Sequence, residues 1–199
     1  MENLLKIPYT VFNNDWDLLQ QFLERRGNPR YELTGDVDLS YRKDIIDLGN
    51  LVRVYGDLKL FDTSIKFLGN LEYVDGTLDL RWTSIKSLKK VKYIGNNLRL
   101  LHTSIESLEN LEYVRGDLDL RSSPIQSLGN LDYVGGDLDL AYTPIQSLGK
   151  LQYIGGDLDL AETQIESLGN LQYVGKIFFL SANHQIPEEQ LTNFKIAYF

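Results

Sequence analysis

Along this chain apolar residues return at the first, fourth, eighth, tenth, fifteenth and eighteenth places of a unit twenty residues long, with copies starting at Leu51, Leu71, Val91, Leu111, Leu131, Leu151 and Leu171. In the copy from Leu131 these places hold Leu131, Val134, Leu138, Leu140, Ile145 and Leu148, the predicted core. Leu138 and Leu140 alternate with Asp137 and Asp139, which predicts a half-buried strand. Ile145, Leu148, Leu151 and Ile154 recur every third residue instead, which predicts a tight turn or a short 3₁₀ segment on the return side. A unit this short cannot bury its own apolar side. It is one coil, and its core forms only by stacking on its neighbours.

Polar places repeat as strictly. The sixth place is glycine in Gly56, Gly76, Gly116, Gly136 and Gly156, with Asn96 as a substitute, and these residue types predict a left-handed backbone there. The thirteenth place carries Thr63, Thr83, Thr103, Ser123, Thr143, Thr163 and Asn183, small side chains suited to bonding backbone groups where each strand ends.

The segment Leu138-Asp139-Leu140-Ala141-Tyr142-Thr143-Pro144-Ile145 resembles the strand motif of the leucine-rich repeat family, L-x-L-x-x-N/T-x-I/L, and the likeness runs over about three quarters of the chain. It departs in using threonine for the usual asparagine and Gly135 where a leucine is common. The Leu-Pro dipeptides of effector proteins with ubiquitin-ligase domains are missing, so that activity is not implied. The resemblance implies an α/β solenoid with a curved parallel β-sheet on its concave face, turns or 3₁₀ segments on its convex side, and helical caps. It also implies a protein-binding role for the concave face. Stand-alone arrays of similar short repeats resemble those of bacteria and their phages, where inhibition of a host or bacterial protein is one role.

The ends predict those caps. Residues 1–30 read as an N-terminal helical cap, with Asn14 capping a helix from about Asp15 to Arg26 and Gly27 as its stop. Residues 31–176 form the array, its first copy from Tyr31 less regular. Residues 177–199 form a C-terminal cap with a short helix from Pro187 to Phe194 and a last strand from Lys195 to Phe199. The three segments make one structural domain.

Copies differ chiefly on the outward side of the strand. The ninth place runs Asp38, Lys59, Asp79, Arg99, Asp119, Asp139, Asp159 and Phe179, so charges alternate until three aspartates stand in consecutive strands. Asp117, Asp137 and Asp157 at the seventh place lie beside them. The uniform hydrogen-bond acceptors of the seventh place fit backbone bonding, whereas the ninth accepts either charge and suits a partner better. Ala141 and Ala161 at the eleventh place leave room for a partner's Lys or Arg, with Tyr142 on the rim. The N-terminal half offers Phe61, Arg81, Trp82, Arg99 and Arg121, with Tyr41, Leu101 and His102 among them, side-chain types common in binding hot spots.

A column of tyrosines at the third place, Tyr73 to Tyr173, predicts stacking between coils. Lys86, Lys89, Lys90 and Lys92 form a basic patch, read as a solvated face because the net charge is −8. The expected partner is a protein with a basic or mixed-charge surface, with no membrane, nucleic acid or small-molecule substrate. The residues imply no cofactor, metal or catalytic group. With no cysteine, two histidines, no signal-like N-terminus and no apolar span, the chain reads as cytoplasmic and non-enzymatic. Two rival readings are a divalent cation on the aspartate block and a hydrolase built on His102, Ser122 and Asp119.

Overall fold

In the computed structural model, which describes residues 4–176, 178–181 and 184–198, the chain winds as a parallel β-solenoid of about eight turns. Each regular coil lays down two short strands, such as Tyr113–Val114 and Leu118–Asp119. Equivalent residues pair at a step of one repeat, Tyr113 with Tyr133 and Leu118 with Leu138. The result is two all-parallel sheets of nine strands each. The first begins with Leu5–Pro8 and ends with Tyr173–Val174, and the second runs from Val37–Asp38 to Ile196–Tyr198.

The core follows the sequence pattern. All six apolar places of the coil from Leu131 are at most 1 % exposed, and one continuous cluster extends from Ile7 to Leu191. The thirteenth-place hydroxyls donate to the tenth-place carbonyl of their own coil, as Thr143 does to Leu140 at 2.7 Å, which closes the corner after the second strand. Asn183 lies outside the described residues.

Of the two forms expected on the return side, the tight turn is present, as at residues 149–150, where the Leu151 amide donates to the Leu148 carbonyl at 3.3 Å, and the 3₁₀ segment is not found in the described part of the array. The described 3₁₀ helix is Tyr9–Phe12, before the array. In the array, sixteenth-place amides donate to the sixteenth-place carbonyl of the preceding coil, as Gln126 does to Glu106 at 3.0 Å, and seventeenth-place residues form isolated bridges such as Ser107 with Ser127. A 3₁₀ turn would direct these amides into their own coil. Extended backbone lets the neighbour satisfy them.

Left-handed residues also fall elsewhere than expected. Positive φ belongs to the nineteenth-place glycines Gly49, Gly69, Gly129, Gly149 and Gly169; at the sixth place it is found at Gly35 of the less regular first copy, φ 94°, and not at Gly56, Gly76, Gly116, Gly136 or Gly156. The sixth place is glycine for lack of room. A Cβ on Gly136 would run into Oδ1 of Asp117 in the coil below, and one on Gly156 into Oδ1 of Asp137. Those oxygens are fixed, because Asp117 accepts from the Asp137 amide at 2.9 Å and Asp137 from the Asp157 amide at 2.8 Å. Asn96 follows the coil whose seventh place is Thr77, which has no Oδ1, and its amide instead donates to the Thr77 hydroxyl at 3.1 Å.

At the N-terminal end the helix is Trp16–Glu24 and its cap is Asp15, not Asn14. Asp15 has the extended backbone of a cap and its Oδ1 accepts from Asp17 and Leu18, whereas Asn14 is left-handed at φ 58°. Trp16, Leu19 and Leu23 join the core. Leu5–Pro8, unanticipated from sequence, heads the first sheet against Tyr31–Thr34. At the other end the helix is only Glu188–Leu191, and Ile196–Tyr198 pairs with Phe178–Leu180 as the last strand. Helices of nine and four residues leave the architecture a β-solenoid rather than an α/β alternation.

Leu138→Asp or Ile145→Asp places a charge in this core and should unfold the chain, a loss of about 4 kcal/mol or more. A native circular-dichroism melt in either variant contradicts the register. Gly136→Ala should cost about 2 kcal/mol despite its ordinary φ. Because Asp117→Ala removes the nearest obstacle, the double variant should lose less than the two single losses added together in urea titrations.

Candidate binding face

The outward face of the second sheet carries the seventh, ninth and eleventh places, with the twelfth at the turn that follows. Its rows are not equivalent. Seventh-place acceptors run a ladder to the next coil's amide, including Asp36 to Asp57 at 2.9 Å and Asn97 to Asp117 at 2.9 Å. For Asp117 and Asp137 one carboxylate oxygen is therefore engaged in holding neighbouring coils together, and Asp157 donates its amide into the same ladder.

Ninth-place aspartates bond within their own coil. Oδ1 accepts the amide two residues on, from Ala141 to Asp139 at 3.1 Å and from Ala161 to Asp159 at 2.9 Å. Where the eleventh place is arginine, the guanidinium folds back as a fork. Arg81 gives Nε to Asp79 Oδ1 at 2.9 Å and Nη2 to Oδ2 at 2.6 Å, and Arg121 does the same to Asp119 at 3.0 and 2.8 Å. The three consecutive ninth-place aspartates are therefore not left wholly without a cation, because Arg121 is forked on Asp119. Arg121 Nε also lies 3.1 Å from Asp139 Oδ2, and Lys176 Nζ lies 3.5 Å from Asp137. Asp159 has no ion pair among the described residues.

Asp139 feels this crowding most. Burial pushes its carboxyl up to about 6, and Asp159 and Asp119 on either side add to the rise, while the Ala141 amide and Arg121 oppose it. Asp139 thus holds more protons folded than unfolded between about pH 4 and 6.

The N-terminal half of the face is aromatic and cationic. Tyr41 meets Phe61 edge-on at 5.3 Å, and the Arg81 guanidinium lies 5.2 Å from the Phe61 ring centre. Trp82 and His102 are 4.3 Å apart. Arg99 approaches Asp79 at 3.9 Å. The sequence brings these residues to one face by register alone.

The twelfth place shows what sequence reading missed. Tyr41, Asp62, Trp82, His102, Ser122, Tyr142 and Glu162 all have positive φ, between 51° and 65°. Each non-glycine residue there costs about 1 kcal/mol relative to an unstrained backbone. Yet three are large aromatics directed into solvent, Tyr41 at 68 %, Trp82 at 54 % and Tyr142 at 66 % exposure. Neither glycine nor asparagine marks the place, so composition gave no signal of the turn.

Other columns of the repeat hold the structure together. Tyr93, Tyr113, Tyr133, Tyr153 and Tyr173 stack ring on ring at 4.3 to 5.5 Å, as expected of contacts between coils, whereas Tyr73 at the head of the expected column faces the cations of Arg53 at 5.6 Å and Lys92 at 6.0 Å. In the basic patch Lys92 pairs with Glu72 at 2.8 Å, Lys86 with Glu106 at 3.5 Å, and Lys90 donates to Asn70 at 2.6 Å. His102 lies on Trp82, and no hydrogen bond joins it to Ser122 among the described residues. Nor is any group of three or more His, Cys, Asp or Glu placed to hold a metal ion among them. No described helix is long and apolar enough to cross a membrane.

On the face itself a depression of about 260 Å³ is lined by Asn97, Arg99, Asp117, Asp119, Arg121 and Asp139, among others. That is below the usual size of a small-molecule pocket. Comparison with known proteins finds no matching family model, no matching curated protein and no matching solved structure.

Asp139→Asn keeps an acceptor for the Ala141 amide and removes the crowded charge. It should raise stability at pH 7 by about 1 kcal/mol after solvent screening, and by nothing below pH 4. The raised carboxyl makes wild-type stability fall, relative to the variant, as pH increases from about 4 through 6. Urea midpoints across that range check the sign.

Proposed function

We propose that this chain is a protein-binding module that engages its partner with the outward face of the second sheet, from Tyr41 and Phe61 at one end to Asp159 and Glu162 at the other. The observation that carries the reading is the twelfth-place row, where exposed aromatic side chains stand on a left-handed backbone that glycine would adopt without strain. Keeping Trp82 and Tyr142 there lowers stability and exposes apolar surface, a combination suited to contact anchors. Beside them runs a charge ladder that is mixed at one end and acidic at the other, which fits a partner of basic or mixed charge. The likeness of the strand motif to leucine-rich repeats supports the same reading by analogy.

The reading is tested by capture and affinity measurement with three variants. Trp82→Gly should leave the melting temperature within a few degrees of wild type, because relief of backbone strain offsets the lost ring contact. The same variant should weaken binding to a captured partner about tenfold or more, mainly through faster dissociation. Asp119→Asn with Asp159→Asn should slow association and flatten its salt dependence. Tyr113→Phe, in the tyrosine stack of the first sheet, should leave binding unchanged. Loss of binding in Tyr113→Phe with none in Trp82→Gly puts the interface on the other sheet.

A further inference from the structure

The chain shows how it neutralises a ninth-place aspartate, and where it omits the neutralising group. In the coil holding Asp79 and the coil holding Asp119 the eleventh residue is arginine, seated above the sheet with its fork on both carboxylate oxygens. These two seats are two coils apart, about 9.6 Å along the axis. The next seat in the same phase belongs to Asp159, and there the eleventh residue is Ala161.

Asp159 is otherwise built like Asp119. Its Oδ1 accepts the amide two residues on at 2.9 Å, as Asp119 accepts from Arg121 at 3.2 Å, so the carboxylate is held in the same way. Asp139 is served from the coil before it by Arg121. Asp159 is not, because the eleventh residue of the coil before it is Ala141. On the far side it pairs in register with Phe179, which gives a planar cation an aromatic flank. Tyr142 and Glu162 stand at the rim, both exposed.

We propose that the seat above Ala161 receives an arginine side chain of the partner, its guanidinium forked on Asp159 as Arg81 and Arg121 are forked on Asp79 and Asp119. The proposal rests on the protein-binding reading and names the chemistry at one end of the face. A lysine fits the seat less well. Its ammonium is a point charge on a flexible stem, whereas the two filled seats each use parallel donors in a plane on both oxygens.

Fluorescence anisotropy with labelled hexa-arginine and hexa-lysine peptides, at physiological salt, separates this fork from general attraction to an acidic protein. Wild type should prefer hexa-arginine by about fivefold. Ala161→Arg should fill the seat from within, as Asp159→Asn should disable it, and each should bring the ratio near one. Ala161→Arg should also raise the melting temperature. Glu166→Gln, the same change of charge on the return side, should keep the preference. Equal binding of the two peptides by wild type, or an arginine preference that survives in Ala161→Arg, overturns the proposal. If that happens while capture of a protein still depends on Trp82, the seat is wrong and the binding face stands. A preference that behaves as expected, with no partner dependent on Trp82, leaves the seat and removes the wider reading.

Discussion

In-register parallel stacking governs everything else in this molecule. Each backbone amide on the three hydrogen-bonded sides looks for its acceptor one coil away, so every coil must return to the same height after the same number of residues. The cost of a mismatch is a buried, unpaired peptide group. A consequence is that each side chain stands about 4.8 Å from its equivalents above and below. Whatever the repeat carries is multiplied into a column. Columns of leucine and isoleucine make the core, tyrosines stack, and seventh-place acceptors lock one coil to the next. A column of like charges is the unfavourable case, and it is where the chain departs from strict repetition.

Those departures define the face. Alternation of Asp38, Lys59, Asp79 and Arg99 neutralises the column at one end, and Arg121 bridges Asp119 and Asp139 in the middle. Only toward Asp159 does the chain stop supplying its own cation. Along the adjacent turn, strained aromatics are retained where glycine would be easier. Asp159 and the left-handed aromatics thus share one side, left-handed Lys89 and Glu109 lie at the nineteenth place on another, and the stacked tyrosines and paired lysines of the other columns complete contacts between coils.

Much of this was legible in the sequence, and what was not has physical reasons. Burial drives Leu138, Leu140 and Ile145 inward whatever the backbone does between them, so the core and the second sheet followed from apolar spacing. The first sheet was harder. Each of its strands in the regular coils is two residues long, and Tyr133 and Val134 show no alternation to read. Spacing by three suggested a tight turn or a 3₁₀ return, and only the turn is found in the described array, because periodicity cannot tell which coil receives the Gln126 amide. Gly136 looked like a turn residue, but its requirement comes from Asp117 in the coil below, a cause that lies outside its own local sequence. Trp82 and Tyr142 at positive φ run against their intrinsic preferences. For the site, strand register placed the aspartates side by side correctly, whereas the diagonal reach of Arg121 depends on side-chain geometry alone.

Hydroxyl-radical footprinting of the chain, free and bound to a captured partner, tests the central claim most directly, because tyrosine and tryptophan report from both sheets in one experiment. Protection of Tyr41, Trp82 and Tyr142 on binding, with Tyr93, Tyr113 and Tyr133 unchanged, is the predicted result. Protection of the stacked tyrosines with the twelfth-place aromatics still fully reactive would contradict the assignment of the binding face.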